Sequence, residues 1–525
     1  MYNSEKYIQG NQNVQVPEHM NFGKFMLDAL RRMGDEIAIE NGMTGEKLTY
    51  KQITRHAVDL SIMLTKLGVR HEDVVAFGTE KRIMIVPTIL GIIFSGATFT
   101  PYDLRCGRAE LHHKMSTSLP KYFICSQMFW ERYSDIIEEF KPTTITLDNS
   151  CSFAINIKPL IGIEQQFDVV KFEPVAVQGQ IDVALILYSS GTTGMPKGVK
   201  LTHLNCILNS LPHDYSDEAL QTAFIYGEWY HNYDSFVTYK FLQAGRKIVY
   251  ADDIAIENIL KTVEEHQINI AFLVPSTLYD LCKIKGKHSV ASLKVLYSRS
   301  ASLHAKTIKC LKERFPSIEY IRQGYGMTEA GEPCSENWGS KSLQSVGKVS
   351  PGTTLKIVDI KTREVLGPNQ HGEVCIRGPV LMSGYIGVDP ATYLDEEGFF
   401  KTGDLGYYDE EEHVYIIDRI KEFITSLGYK VSPIEMETIL VLHPSVLEAG
   451  VVGKRVSEYM EEPTAFVVKQ PGAEVTEQEL IDYMAKEASI LHRLTGGVRF
   501  VSQLPRNSRG KILRRVLRET LNQPV

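Results

Sequence analysis

Apolar positions along this chain change their period in a regular way. VDLSIMLTKLGV, from Val58, carries apolar side chains at helical spacing, DVVAFG from Asp73 is a short β-branched run, and a second helical pattern begins near Ile83. The same alternation continues through most of the sequence, which predicts α/β layers on a largely parallel sheet. Past Gly372 the texture shifts to shorter strands, GEVCIRG and then GFFKTGDLGYYDEEEHVYIID, and the acidic stretch from Asp404 to Glu412 reads as a solvated turn between two of them. After Asp418 comes a smaller unit with helical patterns (PIEMETILVLH, TEQELIDYMAKEA) and strand patterns (EAGVVG, PTAFVVK). The expected organisation is a large N-terminal domain over residues 1–417 and a compact α+β domain of about a hundred residues at the C-terminal end.

One stretch complicates this picture. From Ile83 to Tyr102 the chain has no charged residue, about the length that spans a bilayer. Pro87, Gly91, Ser95 and Gly96 interrupt the run and its second half is strand-like, so a buried helix followed by a buried strand is the better expectation. At 525 residues the chain exceeds what one core supports. Its net charge of −7 argues against a nucleic-acid partner. The basic C-terminal segment NSRGKILRRVLRE has helical spacing and predicts a solvated surface helix. Eight cysteines are scattered without metal-ligand spacing, and the polar N-terminus lacks the apolar core of a signal peptide, which predicts reduced thiols and a cytoplasmic protein.

The most informative segment is VALILYSSGTTGMPKGVKLTH, from Val183. A buried strand delivers the chain into Ser189, Ser190, Gly191, Thr192, Thr193 and Gly194; Pro196 and Lys197 follow, and a helix starts near Thr202, which can cap it. Glycines and small hydroxyl residues let N–H groups and Oγ atoms converge on phosphate oxygens without a Cβ in the way. Taken as a fragment, SSG is an ordinary turn; two glycines, four hydroxyl residues and a lysine in one loop point to polyphosphate. The spacing differs from that of P-loop NTPases, because Lys197 follows a proline and precedes Gly198.

YSSGTTGMPKGV resembles the signature of the adenylate-forming superfamily: acyl-CoA synthetases, coumarate-CoA ligases, beetle luciferases and peptide-synthetase adenylation domains. The likeness extends over nearly the whole chain, through LTYKQI, GATFTPYD, QGYGMTEA, GEVCIRGPVLMSGY, KTGDLGYYDE, DRIKEFI and RGKILRR, and is nearest the insect luciferase-like acyl-CoA synthetase branch. It implies ATP, Mg²⁺ and coenzyme A as cofactors and a small-molecule carboxylate as substrate. In QGYGMTEA, Gly324 and Gly326 leave room for a flat base on which Tyr325 can stack, and the resemblance places Thr328 on the α-phosphate and Glu329 on Mg²⁺. On its own Glu329 reads as a surface acid, and Asp404 as turn chemistry; the resemblance makes Asp404 the ribose ligand, with Arg419 nearby. Asp418 matches the hinge residue, with Lys421 closing a hinge over 418–421, and 422–525 becomes the lid that carries Lys511. A lone lysine near a C-terminus is usually a solvated charge. Its match to the superfamily's catalytic lysine puts a cation between carboxylate and α-phosphate, where it stabilises the charge that develops in the transition state.

Departures from the superfamily pattern fall around the acyl site. Arg299 and Ser300 stand in SRSASL where relatives carry glycines. In EWYHNYDSF, His231 and Tyr233 match the pattern, whereas Asn232 and Asp234 replace glycines, and Glu332 follows Glu329 where luciferases have small hydroxyl residues. A buried unpaired charge is costly, so Arg299, Asp234 and Glu332 are expected to pair or to face water. Together they predict a pocket more polar than one for a long alkyl chain or for luciferin. After DRIKEFI, Thr425 and Leu427 replace lysines, which argues against efficient light emission; Gly428 and Tyr429 remain, and Lys430 can meet a coenzyme A phosphate. The expected activity is a carboxylate:CoA ligase forming acyl-AMP and then acyl-CoA. A luciferase-like monooxygenase and a nucleotide-binding paralogue with weak activity are the alternatives.

Overall fold

The computed structural model describes residues 6–104, 106–148, 154–157, 168–189, 195–211, 220–227, 231–251, 255–284, 288–298, 303, 305–335, 345–426, 429–456, 461–488, 492–507 and 510–521. Two large sheets dominate. In the 8-stranded one, Val74–Thr79 pairs in parallel with Thr98–Asp103 and Tyr122–Cys125, and Val183–Ser189 adds beside Thr98–Asp103. In the 9-stranded one, Ile270–Leu273, Val295–Ser298 and Tyr320–Met327 run parallel side by side, and the chain then returns antiparallel through Gly331–Ser335. Apolar side chains from both sheets, Phe99 and Leu185 on one and Ile248 and Phe272 on the other, meet in one core with the helices Phe22–Met33, Tyr50–Lys66 and Ile85–Phe94. This is the α/β layering that the alternating apolar runs predict.

The uncharged run resolves as expected. Every residue of the helix Ile85–Phe94 is buried, and the strand Thr98–Asp103 follows it. No described helix is long and apolar enough to cross a membrane.

A third, 5-stranded sheet is antiparallel through Thr354–Val358, Gly372–Arg377, Phe400–Tyr408 and Val414–Arg419. Here the acidic segment needs a correction. Asp404 is not part of a solvated turn but sits inside the strand Phe400–Tyr408, whose burial alternates with period 2, and the turn is confined to the residues around Asp409–Glu412. Beyond the short helical turn Ile420–Glu422, a hairpin of Val446–Arg455 and Glu461–Lys469, joined in parallel by Val498–Phe500, is flanked by the helices Pro433–Leu442, Glu477–Glu487 and Arg514–Leu521. This unit has its own cores, one around Met436, Val451 and Leu480 and another around Phe466 and Leu517. The basic terminal helix departs from expectation at one position: Arg514 is buried rather than solvated, because it finds a buried acid partner.

Candidate active site

The glycine-rich loop is anchored at both ends by a hairpin. Ser189 ends one strand and pairs in register with Lys197, which opens the return strand Lys197–Thr202. Thr202 then caps the helix His203–Ser210, accepting a bond from Asn205 N at 3.2 Å while the Asn205 side chain accepts from Thr202 N at 2.9 Å. Ser190, Gly191, Thr192, Thr193 and Gly194 lie outside the described residues. Lys197 Nζ rests 4.9 Å above the ring of Tyr385. The Tyr385 hydroxyl in turn donates to Glu329 Oε1 at 2.8 Å. Tyr385 escaped the sequence reading although it is the last residue of GEVCIRGPVLMSGY; an aromatic within a motif was the available signal.

QGYGMTEA forms a tight return. A Cβ on Gly326 would lie 2.7 Å from the Gly331 carbonyl oxygen, and Gly331 has φ of +60° with the place of a Cβ filled by Asn209 Oδ1 at 1.6 Å. Thr328 and Glu329 sit at this return and are 8% and 9% exposed, so Glu329 is no surface acid. Oε1 of Glu329 is held by Tyr385 and its carbonyl accepts from Met382 N at 2.8 Å. No cluster of three metal-ligating residues exists among the described residues, so Glu329 would offer a cation a single carboxylate. That donor set suits Mg²⁺, which keeps waters and phosphate oxygens as most of its ligands.

Tyr325 is also buried, in the core of the third sheet with Cys334 and Val349, and its hydroxyl donates to Asp404 Oδ2. Little of its ring is left open for stacking on a base. Asp404 is 3% exposed and pairs in register with Arg419, whose Nε lies 2.6 Å from Oδ1. Burial pushes the Asp404 carboxyl above its ordinary range, opposed by Arg419, by the Tyr325 bond and by Lys511.

Lys511, from the other end of the chain, is thus near enough for its charge to act on Asp404. Its loop is closed by Asn507, whose N–H donates to the Lys511 carbonyl at 3.0 Å and whose Oδ1 accepts from Lys511 N at 3.0 Å. The residue keeps an open face to solvent, yet burial of its ammonium and the neighbouring Arg419 and Arg514 lower its pKa, against the pull of Asp404 and Glu422. Just C-terminal to it, Arg514 grips both oxygens of Glu437 at 2.7 Å, and Val451 N donates to the same carboxylate at 2.7 Å. Burial nevertheless pushes Glu437 up to about 7. Asp418 ties the two parts together: its backbone is in register with Leu405, and its carboxylate accepts from Ser432 Oγ and Arg419 N at 2.7 Å and from Ile434 N at 3.3 Å. The side chains of Lys421, Tyr429 and Lys430, and all of Gly428, lie outside the described set.

The residues expected around an acyl group divide into two sets. His231 precedes the helix Asn232–Gln243 and its carbonyl accepts from Ser235 N at 2.9 Å; Asn232 Nδ2 donates to the Met327 carbonyl at 3.2 Å, joining this helix to the Gly-Tyr-Gly strand. Tyr233 packs edge-on against Phe272 at 6.0 Å. Asp234 lies in the first turn, where the helix dipole favours an anion, and packs against Gly227. Glu332 is paired: Lys240 Nζ lies 3.3 Å from Oε2 and the Tyr297 hydroxyl donates to Oε1 at 2.8 Å. Neither Lys240 nor Tyr297 belongs to a motif, so the sequence held no sign of them. Arg299 and Ser300 lie outside the described residues.

Residues 27–386 match the AMP-binding enzyme family and residues 435–511 its C-terminal domain. The chain belongs to the AMP-binding enzyme family. Luciferin 4-monooxygenase of Nipponoluciola cruciata is 32% identical to it, over 100% of this chain and 99% of that one. A 4-coumarate–CoA ligase of Arabidopsis thaliana is 31% identical over 97% and 93%. In fold it is similar to ATP-bound MatB from Rhodopseudomonas palustris (TM-score 0.83, 24% identity, 95% of this chain and 98% of that one). It is also similar to the anthranilate CoA ligase AuaEII in complex with anthranoyl-AMP (TM-score 0.85, 21% identity, 96% and 98%). As a member of this family the protein is an adenylate-forming enzyme that uses ATP.

Proposed function

We propose that this protein is an AMP-forming carboxylate:CoA ligase in which Lys511, Thr328 and Glu329 serve the first half-reaction. The observation that supports this is that Lys511 acts electrostatically on the Asp404–Arg419 pair, residues separated from it by about a hundred positions. In the first step a carboxylate oxygen attacks the α-phosphorus of ATP and pyrophosphate leaves. Lys511 offsets the repulsion between the two anions, Thr328 donates to the α-phosphate, and the loop from Ser189 to Lys197 cradles the outgoing phosphates. Asp404 and Arg419 orient the ribose, and His231 borders the acyl group. Glu329 would hold Mg²⁺, whose charge neutralises the phosphates. A turn of the C-terminal unit about 418–421 then withdraws Lys511, and Gly428, Tyr429 and Lys430 serve attack by the coenzyme A thiol, which forms the thioester and releases AMP.

The test is pyrophosphate release across a panel of carboxylic acids, with AMP and acyl-CoA measured with and without coenzyme A. Acid-dependent pyrophosphate release that disappears in Lys511→Ala, together with acyl-CoA formation, is the expected result. Light output with luciferin, ATP and oxygen in place of acyl-CoA would move the protein to the monooxygenase reading.

A further inference from the structure

Away from the nucleotide residues, two helices bring a pair of thiols together. Pro275–Lys283 and Ala305–Arg314 pack side by side, with Leu278 and Leu281 of one and Ile308 and Leu311 of the other buried in a single apolar cluster. Cys282 packs against the edge of that cluster and Cys310 stands next to Leu311; both are half-buried. The Cys282 thiol donates to the Thr307 carbonyl at 3.8 Å, and Thr307 lies one helical turn before Cys310 on the same face. The two thiols are close enough to share a hydrogen bond. Cys106, Cys125, Cys206, Cys334 and Cys375, by contrast, are buried and out of reach of solvent oxidants. Burial and the Cys310 thiol push the Cys282 thiol up to about 12, against the pull of Arg314 and Lys283, so Cys282 keeps its proton at neutral pH.

We propose that Cys282 and Cys310 are a peroxide-responsive redox site, in which a reversible disulfide ties the helix Pro275–Lys283 to the helix Ala305–Arg314. Cys310 reacts first. Its sulfur attacks one oxygen of a hydroperoxide, the O–O bond breaks, the thiol proton leaves with the water or alcohol released, and Cys310 becomes a sulfenic acid. The Cys282 sulfur then attacks that of Cys310; the S–S bond forms, the S–O bond breaks, and the Cys282 proton leaves with the hydroxyl as water. The two thiols lose two electrons and the peroxide gains them. A pair that is reduced at rest and bridged on challenge fits a reducing compartment, where disulfides are transient and redox-sensing. The helix Ala305–Arg314 follows directly on SRSASL, so the bridge anchors the outgoing end of the stretch in which Arg299 and Ser300 depart from the superfamily pattern. None of this depends on which reaction the protein catalyses.

The experiment treats the full-length protein with hydrogen peroxide, blocks the remaining thiols with N-ethylmaleimide, and maps the peptides by mass spectrometry with and without dithiothreitol. The expected product is the Cys282 peptide joined to the Cys310 peptide of the same chain, two hydrogens lighter than the sum of the parts and separated again by dithiothreitol. In Cys282→Ser, which leaves no resolving sulfur, dimedone is expected to label Cys310; in Cys310→Ser the link is lost and Cys282 stays a thiol. Recovery of both cysteines alkylated, under peroxide that fully oxidises glutathione in a parallel sample, would overturn the proposal. So would a Cys310 that passes to sulfinic acid, or joins a second molecule, without linking to Cys282. Dimedone found on Cys282 in Cys310→Ser, and not on Cys310 in Cys282→Ser, would overturn the order in which the sulfurs react.

Discussion

Replacing Arg514 by methionine removes a guanidinium that is 9% exposed and gives Glu437 two bonds of 2.7 Å. What remains is a 7% exposed carboxylate with the Val451 N–H as its one donor, and Asp418 loses the attraction that most opposes its own burial. Breaking one side of such a pair costs about 3–5 kcal/mol. The cost depends on pH in a definite direction. With Arg514 present the Glu437 pKa is already raised to about 7 from an ordinary 4.5, and without it the folded value climbs further. A carboxyl raised on folding contributes stability that is full below the unfolded value and is lost as pH rises through the folded one. The deficit of Arg514→Met should therefore be smallest near about pH 5 and open as pH passes about 7, by about 1.4 kcal/mol per unit. At about pH 8 it shows the first ~1.4 kcal/mol of a penalty that reaches ~3–5 kcal/mol only above the variant's own folded value. Urea denaturation of the full-length protein at both pH values, with hydrogen exchange over 433–521 to assign the transition, measures it. Adding Glu437→Leu should recover most of the loss, since an apolar pair of similar volume carries no desolvation penalty. A deficit under about 1 kcal/mol at the higher pH, or a double variant as unstable as the single one, would refute the reasoning.

Lys511→Ala should lower pyrophosphate release by at least about 100-fold while ATP binding weakens far less, which calorimetry separates from kinetics. Because the Lys511 pKa is lowered, activity should fall with rising pH before an ordinary lysine would titrate, and Lys511→Arg should retain less activity but lose that alkaline limb in a pH–rate profile. Tyr325→Phe removes a bond to a buried carboxylate and should weaken nucleotide binding or stability by about 1.5–3 kcal/mol, read by titration of ATP and by thermal melting. Gly331→Ala places a Cβ on Asn209 Oδ1 at a positive φ and should destabilise by at least about 1–3 kcal/mol; a melting temperature unchanged from wild type would contradict the packing described.

Much of the fold was legible because it follows from period. The fully buried Ile85–Phe94 and the capped start of His203–Ser210 are local patterns, and local patterns survive in sequence. Asp404 was misplaced because an acid beside Gly403 and ahead of a run of acids looks solvated; only the partner strand, bearing Arg419 in register, shows why it is inside. Motif wording singled out the residues that the proposed reading assigns to the nucleotide, since those stretches resemble the family's signature. The Tyr297–Glu332–Lys240 cluster was out of reach since its members lie on three elements spread over about a hundred residues. Glu332 was noticed as a misfit, and its partners became visible only through the fold.

Asp418 holds a consequence for speed. Its main chain belongs to the third sheet, while its carboxylate anchors the start of the helix Pro433–Leu442 through Ser432 Oγ and Ile434 N. Under the proposed turn about 418–421, a pivot bonded to both bodies would work as a clutch, releasing one set of bonds before the other could follow. In that proposed cycle the friction at this joint would set a floor under the time per turnover, whichever acid is being processed. Asp418→Ala, which frees the helix from the joint, is expected to make domain exchange faster and less steeply dependent on temperature, at the expense of a loosely held Lys511.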